Sequence, residues 1–318
     1  MSGFMRTATL ALAVLASVSA IAAAPSGAAE KGRPEKTDLV FGIIPTMDYI
    51  PVELAIKRGF FKEEGLTVTT RVTPPGSTVP ALIGGAIDVS GVNWIATIVA
   101  YNRNIPIQVI AEADAGSPGY VTILVKNDSP VRNLNDLVGK KVGAPSAPPG
   151  VCDVMVADTM GKPDASTGIA FTSIPVPQMM ATLASGGVDA ICLPEPLLTP
   201  VLQKKEARVV YDPFGSEHEG LPIVSYTVSA EFAKKNPNTV AALQRAIAKA
   251  QQLCIDDPNA VREVLPAFVH ITPEQAKTVT LPKYVAKADP TRIRRLAEML
   301  GKVGVLEKPV KVPPVGGQ

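Results

Sequence analysis

Short apolar runs alternate with helical patterns along the chain, and the first clear case is Leu39-Val40-Phe41-Gly42-Ile43-Ile44, which stops at Pro45. The run reads as a buried strand, followed by a polar loop, Thr46-Met47-Asp48-Tyr49, and then a helix. Pro51 suits the first helical position, where its missing N–H would have no intrahelical acceptor. Lys57 and Arg58 favour the negative end of the helix dipole, and Gly59 can end the helix in a left-handed conformation. The loop 46–49 therefore sits at the carboxyl end of a buried strand, where open α/β sheets bind ligands.

The alternation continues. Residues 66–72 read as a strand, 78–83 as a helix, 87–90 as a strand, 95–101 as a helix and 107–111 as a strand. Residues 120–126 alternate in polarity and read as a crossing into a second α/β series. That series has an opening at 134–143, a helix over 151–160, and strands near 169–173, 188–193 and 208–211. A second alternating strand, 223–229, reads as the return crossing, and residues 230–301 are helical in pattern. This is the rhythm of α/β layers, with two crossings that form a hinge. The predicted division is a leader over 1–29, a first lobe over 38–122, a second lobe over 123–222, a return with C-terminal helices over 223–308, and a flexible Pro- and Gly-rich tail over 309–318.

The leader pattern is one basic side chain in residues 1–6, a nearly wholly apolar or small stretch over 7–21, and small-residue cleavage sites at Ala22-Ala23-Ala24 or Gly27-Ala28-Ala29. The apolar run falls short of the roughly 20 residues that a membrane span needs. It predicts a cleaved secretory signal and a periplasmic product, with cleavage after Ala24 or Ala29 both open. No Cys lies near these sites to carry a lipoprotein anchor. A net charge of +2, from 31 basic and 29 acidic residues, gives no field that would gather nucleic acid. Cys152, Cys192 and Cys254 are too few and too scattered for a disulfide scaffold. Buried free thiols are the preferred reading, with a Cys152–Cys192 pair as the alternative. His218 and His270 belong to no ligand-spaced cluster and read as core or surface histidines, so no metal site is expected.

The segment Ala55-Ile56-Lys57-Arg58-Gly59-Phe60-Phe61-Lys62-Glu63-Glu64-Gly65-Leu66 closely resembles the first lobe of periplasmic solute-binding proteins of the nitrate/sulfonate/taurine and thiamine-precursor (pyrimidine) ABC transporter family. Residues 81–89, with Gly84, Ile87 and Asp88, are similar to that family's first-lobe step. Residues 133–143 resemble its second-lobe opening, and residues 180–190 followed by Pro194-Glu195-Pro196 resemble its second-lobe step. The resemblance implies a two-lobed α/β periplasmic-binding-protein fold (type II-like), each lobe a mainly parallel sheet flanked by helices. It also implies a monomeric receptor without cofactor that hands a small-molecule ligand directly to an ABC permease and its ATPase subunits. Asp88 and Asp189, each following a Gly-rich turn, are expected to fix those turns by local hydrogen bonds.

Loops facing the interlobe crevice supply the candidate ligand-binding residues: Thr46, Met47, Asp48, Tyr49, Ser77, Thr78, Asn93, Trp94, Ser146, Pro148 and Glu195. Trp94, the sole tryptophan, offers a stacking face, with a core-capping role as its alternative. Ser77, Thr78 and Ser146 offer hydroxyls of the sort that hold an anion beside helix N-termini. The predicted loop tips nevertheless carry Asp48 and Glu195 and no Lys or Arg. That balance favours a neutral or cationic aromatic or heterocyclic solute, with a nitrate- or sulfonate-type anion receptor or an exported ligand sensor as alternatives. An enzyme is not expected. The chain has no Ser-centred elbow, no metal-spaced His pair, no phosphate-cradling Gly loop with an adjacent Lys, and none of the neighbouring cysteines that mark the yeast-type pyrimidine synthase.

Overall fold

The computed structural model describes residues 32–316 apart from residue 75, so the predicted leader lies outside the described residues. The strands in chain order are β1 (Asp38–Ile43), β2 (Thr67–Val72), β3 (Val89–Asn93), β4 (Ile107–Ala115), β5 (Val121–Lys126), β6 (Lys141–Ala144), β7 (Ala170–Ser173), β8 (Ala190–Pro194), β9 (Ala207–Tyr211), β10 (Pro222–Ser229) and β11 (Lys283–Tyr284). They form two sheets, in the orders β11-β4-β10-β3-β1-β2 and β7-β6-β8-β5-β9. Apart from β11, the two orders follow one plan. Read as β2-β1-β3-β10-β4 and β7-β6-β8-β5-β9, parallel strands carry a single antiparallel member, β10 in the first sheet and β5 in the second, in the second-to-last place. Each sheet is therefore mixed.

The same plan shows in Asp88 and Asp189. The Asp88 carboxylate accepts from the backbone N–H of Val40 at 2.9 Å, and the Asp88 N–H donates to the Val40 carbonyl at 2.9 Å. Asp189 does the same with Lys141, at 2.8 Å and 2.9 Å. These bonds reach 48 residues back to the neighbouring strand, so the expectation of a local turn clasp is corrected. Each aspartate fixes the start of β1 or β6 against the approach to the strand beside it, and so sets the register of that sheet.

The crossings also differ from the expectation that strands 120–126 and 223–229 would themselves bridge the lobes. Both strands are interior members of a sheet, and the chain passes between sheets in segments 116–120 and 212–221. Their alternation reflects membership of a sheet rather than passage between sheets. The two segments are tied together: Gly116 N–H donates to the Leu221 carbonyl at 2.9 Å, and Gly220 N–H to the Gly116 carbonyl at 2.9 Å. Gly116 has to be glycine, because a Cβ there would lie 2.1 Å from Phe214 Cδ1.

Helix Pro237–Asp256 covers the first sheet with Val240, Leu243, Ala246, Ile247, Ala250 and Cys254 buried, the spacing of one helical face. The tail is not frayed where it is described. Lys311 exchanges backbone bonds with the Asn102 side chain at 2.8 and 2.9 Å, and Gly316 N–H donates to the Val109 carbonyl at 2.9 Å.

Cys152, on helix Val151–Thr159, is bonded to Cys192 on β8, which corrects the preference for free thiols. The bond joins that helix to β8, and nothing in a separation of 40 residues announces it. Cys254 is a buried free thiol whose pKa is pushed up to about 12 by burial. Closing a loop of this length is worth about 2–4 kcal/mol. Alkylation of the unfolded, unreduced protein should therefore label Cys254 alone, and the double variant Cys152→Ala/Cys192→Ala should lose about 2–4 kcal/mol in denaturant titration. Labelling of all three cysteines without reductant would contradict the pairing.

Candidate functional site

Because β10 runs antiparallel to both β3 and β4, strands β1 to β4 point the same way, and Ile43, Val72, Asn93 and Ala115 end at one edge of the first sheet. By the same argument Ala144, Ser173, Pro194 and Tyr211 end at one edge of the second. The chain leaves β4 at the first of these edges and enters β5 at the second. The six residue steps from Ala115 to Val121 reach at most about 20 Å. The carboxyl edges of both sheets therefore meet at the crossings.

The loop after β1 lies at this junction and is held by hydroxyls. Tyr226, on β10, donates to the Asp48 carbonyl at 2.6 Å, and Tyr284, on β11, donates to the Met47 carbonyl at 3.1 Å. Tyr120, just ahead of β5, donates to Asp48 Oδ1 at 3.2 Å, and Thr46 donates to Asp48 Oδ2 at 2.5 Å. Tyr49 turns inward and donates to the Gly91 carbonyl at 3.0 Å, a contact so close that a Cβ on Gly91 would lie 2.6 Å from the phenol oxygen.

Next to Asp48 stands Asp114, near the end of β4 and 0% exposed. One of its oxygens accepts from Val224 N–H at 3.3 Å, and Oδ2 has no partner among the described residues. Burial, and then the Asp48 charge, hold the Asp114 carboxyl well above the usual carboxylate range. Burial likewise raises the phenols of Tyr120, Tyr226 and Tyr284, so all three remain neutral donors. Among the described residues no Lys, Arg or His pairs with Asp48 or Asp114. Chemically this is an acceptor-rich junction lacking a counter-cation. Two residues back along β4, Glu112 meets Arg292 at 3.1 Å and the Asp289 N–H at 3.1 Å, and burial pushes its pKa to about 7.

The structure thus gathers Thr46, Met47, Asp48 and Tyr49 at the junction, with Met47 and Tyr49 buried beneath its surface. Asn93 ends β3 and caps helix Trp94–Asn102 by accepting from Ile95 N–H at 2.8 Å. Trp94 is 0% exposed and packed in the core, and its indole N–H has no partner among the described residues. Ser77 bonds to the Pro74 carbonyl at 2.7 Å, and Thr78 is buried at the start of helix Thr78–Ile83. Ser146 and Pro148 are exposed on the loop that follows β6. Glu195 is committed elsewhere: its carboxylate accepts from Thr199 N–H at 3.1 Å, from the Thr199 hydroxyl, and from Thr280 N–H at 2.9 Å. That carboxylate ties the corner after β8 to the C-terminal segment.

Asp114, Tyr120, Tyr226 and Tyr284 escaped the sequence reading. The available signal for Asp114 was an acid inside Ile107-Gln108-Val109-Ile110-Ala111-Glu112-Ala113-Asp114-Ala115, a strand too apolar to leave its carboxyls in water. The Asp114→Asn variant isolates that proton. Above the ordinary carboxylate pKa the unfolded wild type releases its proton more readily than the folded protein does. Wild-type stability therefore falls as pH rises, at up to about 1.4 kcal/mol per unit for this group. Melting curves from pH 4 to 8 should show Asp114→Asn gaining on wild type as pH rises, and a constant offset would contradict the assignment.

The NMT1-like family matches residues 32–267, and the chain belongs to that family. Among curated proteins it is similar to the nitrate/nitrite binding protein NrtA of Synechococcus elongatus, 26% identical over 265 residues that cover 74% of this chain and 59% of the relative. It is also similar to a 4-amino-5-hydroxymethyl-2-methylpyrimidine phosphate synthase of Saccharomyces cerevisiae, 26% identical over 224 residues that cover 67% of this chain and 65% of the relative. The chain spans about six-tenths of the length of the NrtA relatives it matches. Among solved structures, the alkanesulfonate-binding protein SsuA of Xanthomonas axonopodis pv. citri bound to MOPS superimposes with a TM-score of 0.71 at 18% identity, covering 87% of this chain and 97% of that one. The periplasmic nitrate-binding protein NrtA of Synechocystis gives 0.65 at 19% identity, covering 77% and 70%. The fold is that of the periplasmic binding proteins.

Proposed function

We propose that this NMT1-like protein is a solute-binding receptor of an ABC import system, and that its solute is a neutral or cationic aromatic or heterocyclic compound. The observation that carries the solute class is the Asp48–Asp114 junction, where two carboxyls and a tyrosine hydroxyl converge without a cation among the described residues. A bare anion placed there meets negative charge in a poorly screened setting, whereas an amine or ring N–H meets acceptors. Relatives named for nitrate and for a substituted aminopyrimidine support a small solute of either class, and the junction's charge favours the second.

In this reading residues 38–122 and 223–308 make one lobe and residues 123–222 the other, flexing about the crossings. Thr46, Asp48, Asn93, Ser146 and Pro148 line the crevice, with Ser77 and Thr78 at its margin. Glu195 and Trp94 act as hinge and core supports behind it. The protein works as a periplasmic monomer after loss of a leader over residues 1–29, contacts the permease directly, and catalyses no reaction.

A thermal-shift screen of nitrate, alkylsulfonates, aromatic acids, pyrimidines, flavins and amine-bearing heterocycles should rank the amine-bearing heterocycles first. For the best cationic hit, Asp48→Asn should weaken binding by about 30-fold or more in calorimetry, the loss of at least about 2 kcal/mol expected when one partner of a desolvated pair is removed. A neutral isostere should lose less. Stabilisation by nitrate or an alkylsulfonate alone, with Asp48→Asn unaffected, would restore the anion reading.

A further inference from the structure

A second polar cluster lies on the hinge, away from the junction of Asp48 and Asp114. Asp158, Glu217 and His218 bring one nitrogen and two carboxylate oxygens within 4.8 Å of one another. His218, read from the sequence as a core or surface histidine, is 2% exposed and sits on the crossing segment 212–221 together with Glu217. Asp158 belongs to helix Val151–Thr159 on the second sheet.

The ring of His218 has a defined orientation. Its Nδ1 lies 3.1 Å from the Pro213 carbonyl oxygen, which can only accept, so Nδ1 carries the hydrogen. The other nitrogen, Nε2, lies 2.9 Å from Asp158 Oδ2 and 3.9 Å from Glu217 Oε1. In the neutral ring, Nε2 then directs a lone pair at carboxylate oxygens. A cation placed at that point would meet all three ligand atoms. A backbone carbonyl that fixes one imidazole nitrogen while the other faces carboxylates is how metal-ligating histidines are commonly oriented. Tetrahedral ligands about 2.0–2.1 Å from a zinc ion are roughly 3.3 Å apart, between the two separations found here.

We propose that Asp158, Glu217 and His218 form a binding site for a zinc-class divalent cation that fastens the second crossing to the second sheet. The donor set of one imidazole and two carboxylates suits a borderline ion, whereas magnesium and calcium favour all-oxygen shells of six or more ligands. Three protein ligands leave a fourth position for water. The neighbouring groups set the competition. Lys302 Nζ is 2.7 Å from Asp158 Oδ1, the oxygen that does not meet His218 Nε2, and its side chain is 61% exposed, so it can swing into solvent. Arg295 donates to the Glu217 carbonyl, and Thr159 and Tyr211 share a hydroxyl contact of 2.7 Å beside the cluster. A proton also competes for Nε2, so affinity should fall as the pH is lowered.

The test is calorimetry with zinc chloride on the full chain after chelator treatment and desalting, together with the four-coordinate absorption of cobalt(II). One zinc per chain is expected. Glu217→Gln, whose parent side chain is 57% exposed and otherwise accepts only from the Thr159 hydroxyl at 3.5 Å among the described residues, should weaken binding at least tenfold. Lys302→Gln, which removes the competing ammonium, should strengthen it, and His218→Gln should abolish the cobalt signal. Zinc affinity unchanged in both Glu217→Gln and His218→Gln, affinity for magnesium equal to that for zinc, or no zinc uptake by wild type would each overturn the site.

Discussion

The junction depends on the hydrogen bond from Tyr120 to Asp48. Tyr120 leads into the second sheet, while Asp48 follows the first strand of the first sheet, so a single phenol connects the two layers. The bond has a physical cause. A carboxylate drawn under the surface beside a second carboxyl loses its water, and neutral hydroxyls replace it. Tyrosines are neutral donors at ordinary pH, and burial moves their ionisation still further above it. Tyr226 and Tyr284 then hold the backbone of the same loop, which fixes the position of the Asp48 side chain, and among the described residues no cation pairs with it.

Around this junction the fold repeats itself. Asp88 and Asp189 clasp the strand beside them by the same pair of backbone bonds, and, β11 aside, each sheet carries one antiparallel strand in the corresponding place. The repetition makes the carboxyl edges equivalent, and the short crossings set them against each other. Beside the backbone bonds of Gly116, several contacts at the crossings use acids: Glu195 to Thr280, and Asp158 to His218 on one side and Lys302 on the other. The lowered pKa of Asp158 follows from those two partners overcoming its partial burial. Its contribution to stability is present above the unfolded carboxylate pKa and is lost as pH falls through the lowered value.

Local chemistry made much of this legible. The helix expected over 78–83 is found as Thr78–Ile83, because a turn on one side and Gly84-Gly85 on the other confine it. Loop 46–49 was placed correctly after β1 because Pro45 and Pro51 bracket it. Long-range features were not legible. The strand expected over 107–111 runs to Ala115, since Glu112 and Asp114 look like a solvated end yet are buried by partners far away in sequence. The sequence offers Glu195 as a candidate to face a solute, and the bond it accepts from Thr280, 85 residues on, is a long-range contact that the sequence does not announce. The disulfide, the crossings at 116–120 and 212–221, and the pinned tail depend likewise on which elements pack together.

The central claim is that two equivalent edges, linked by two short crossings, close over a solute held at Asp48. Small-angle scattering of the full chain, without and with a saturating solute of calorimetrically confirmed affinity, tests it most directly. Closure predicts a smaller radius of gyration with solute in wild type, and no change in a variant that has lost the affinity. An unchanged radius in the saturated wild type would contradict it.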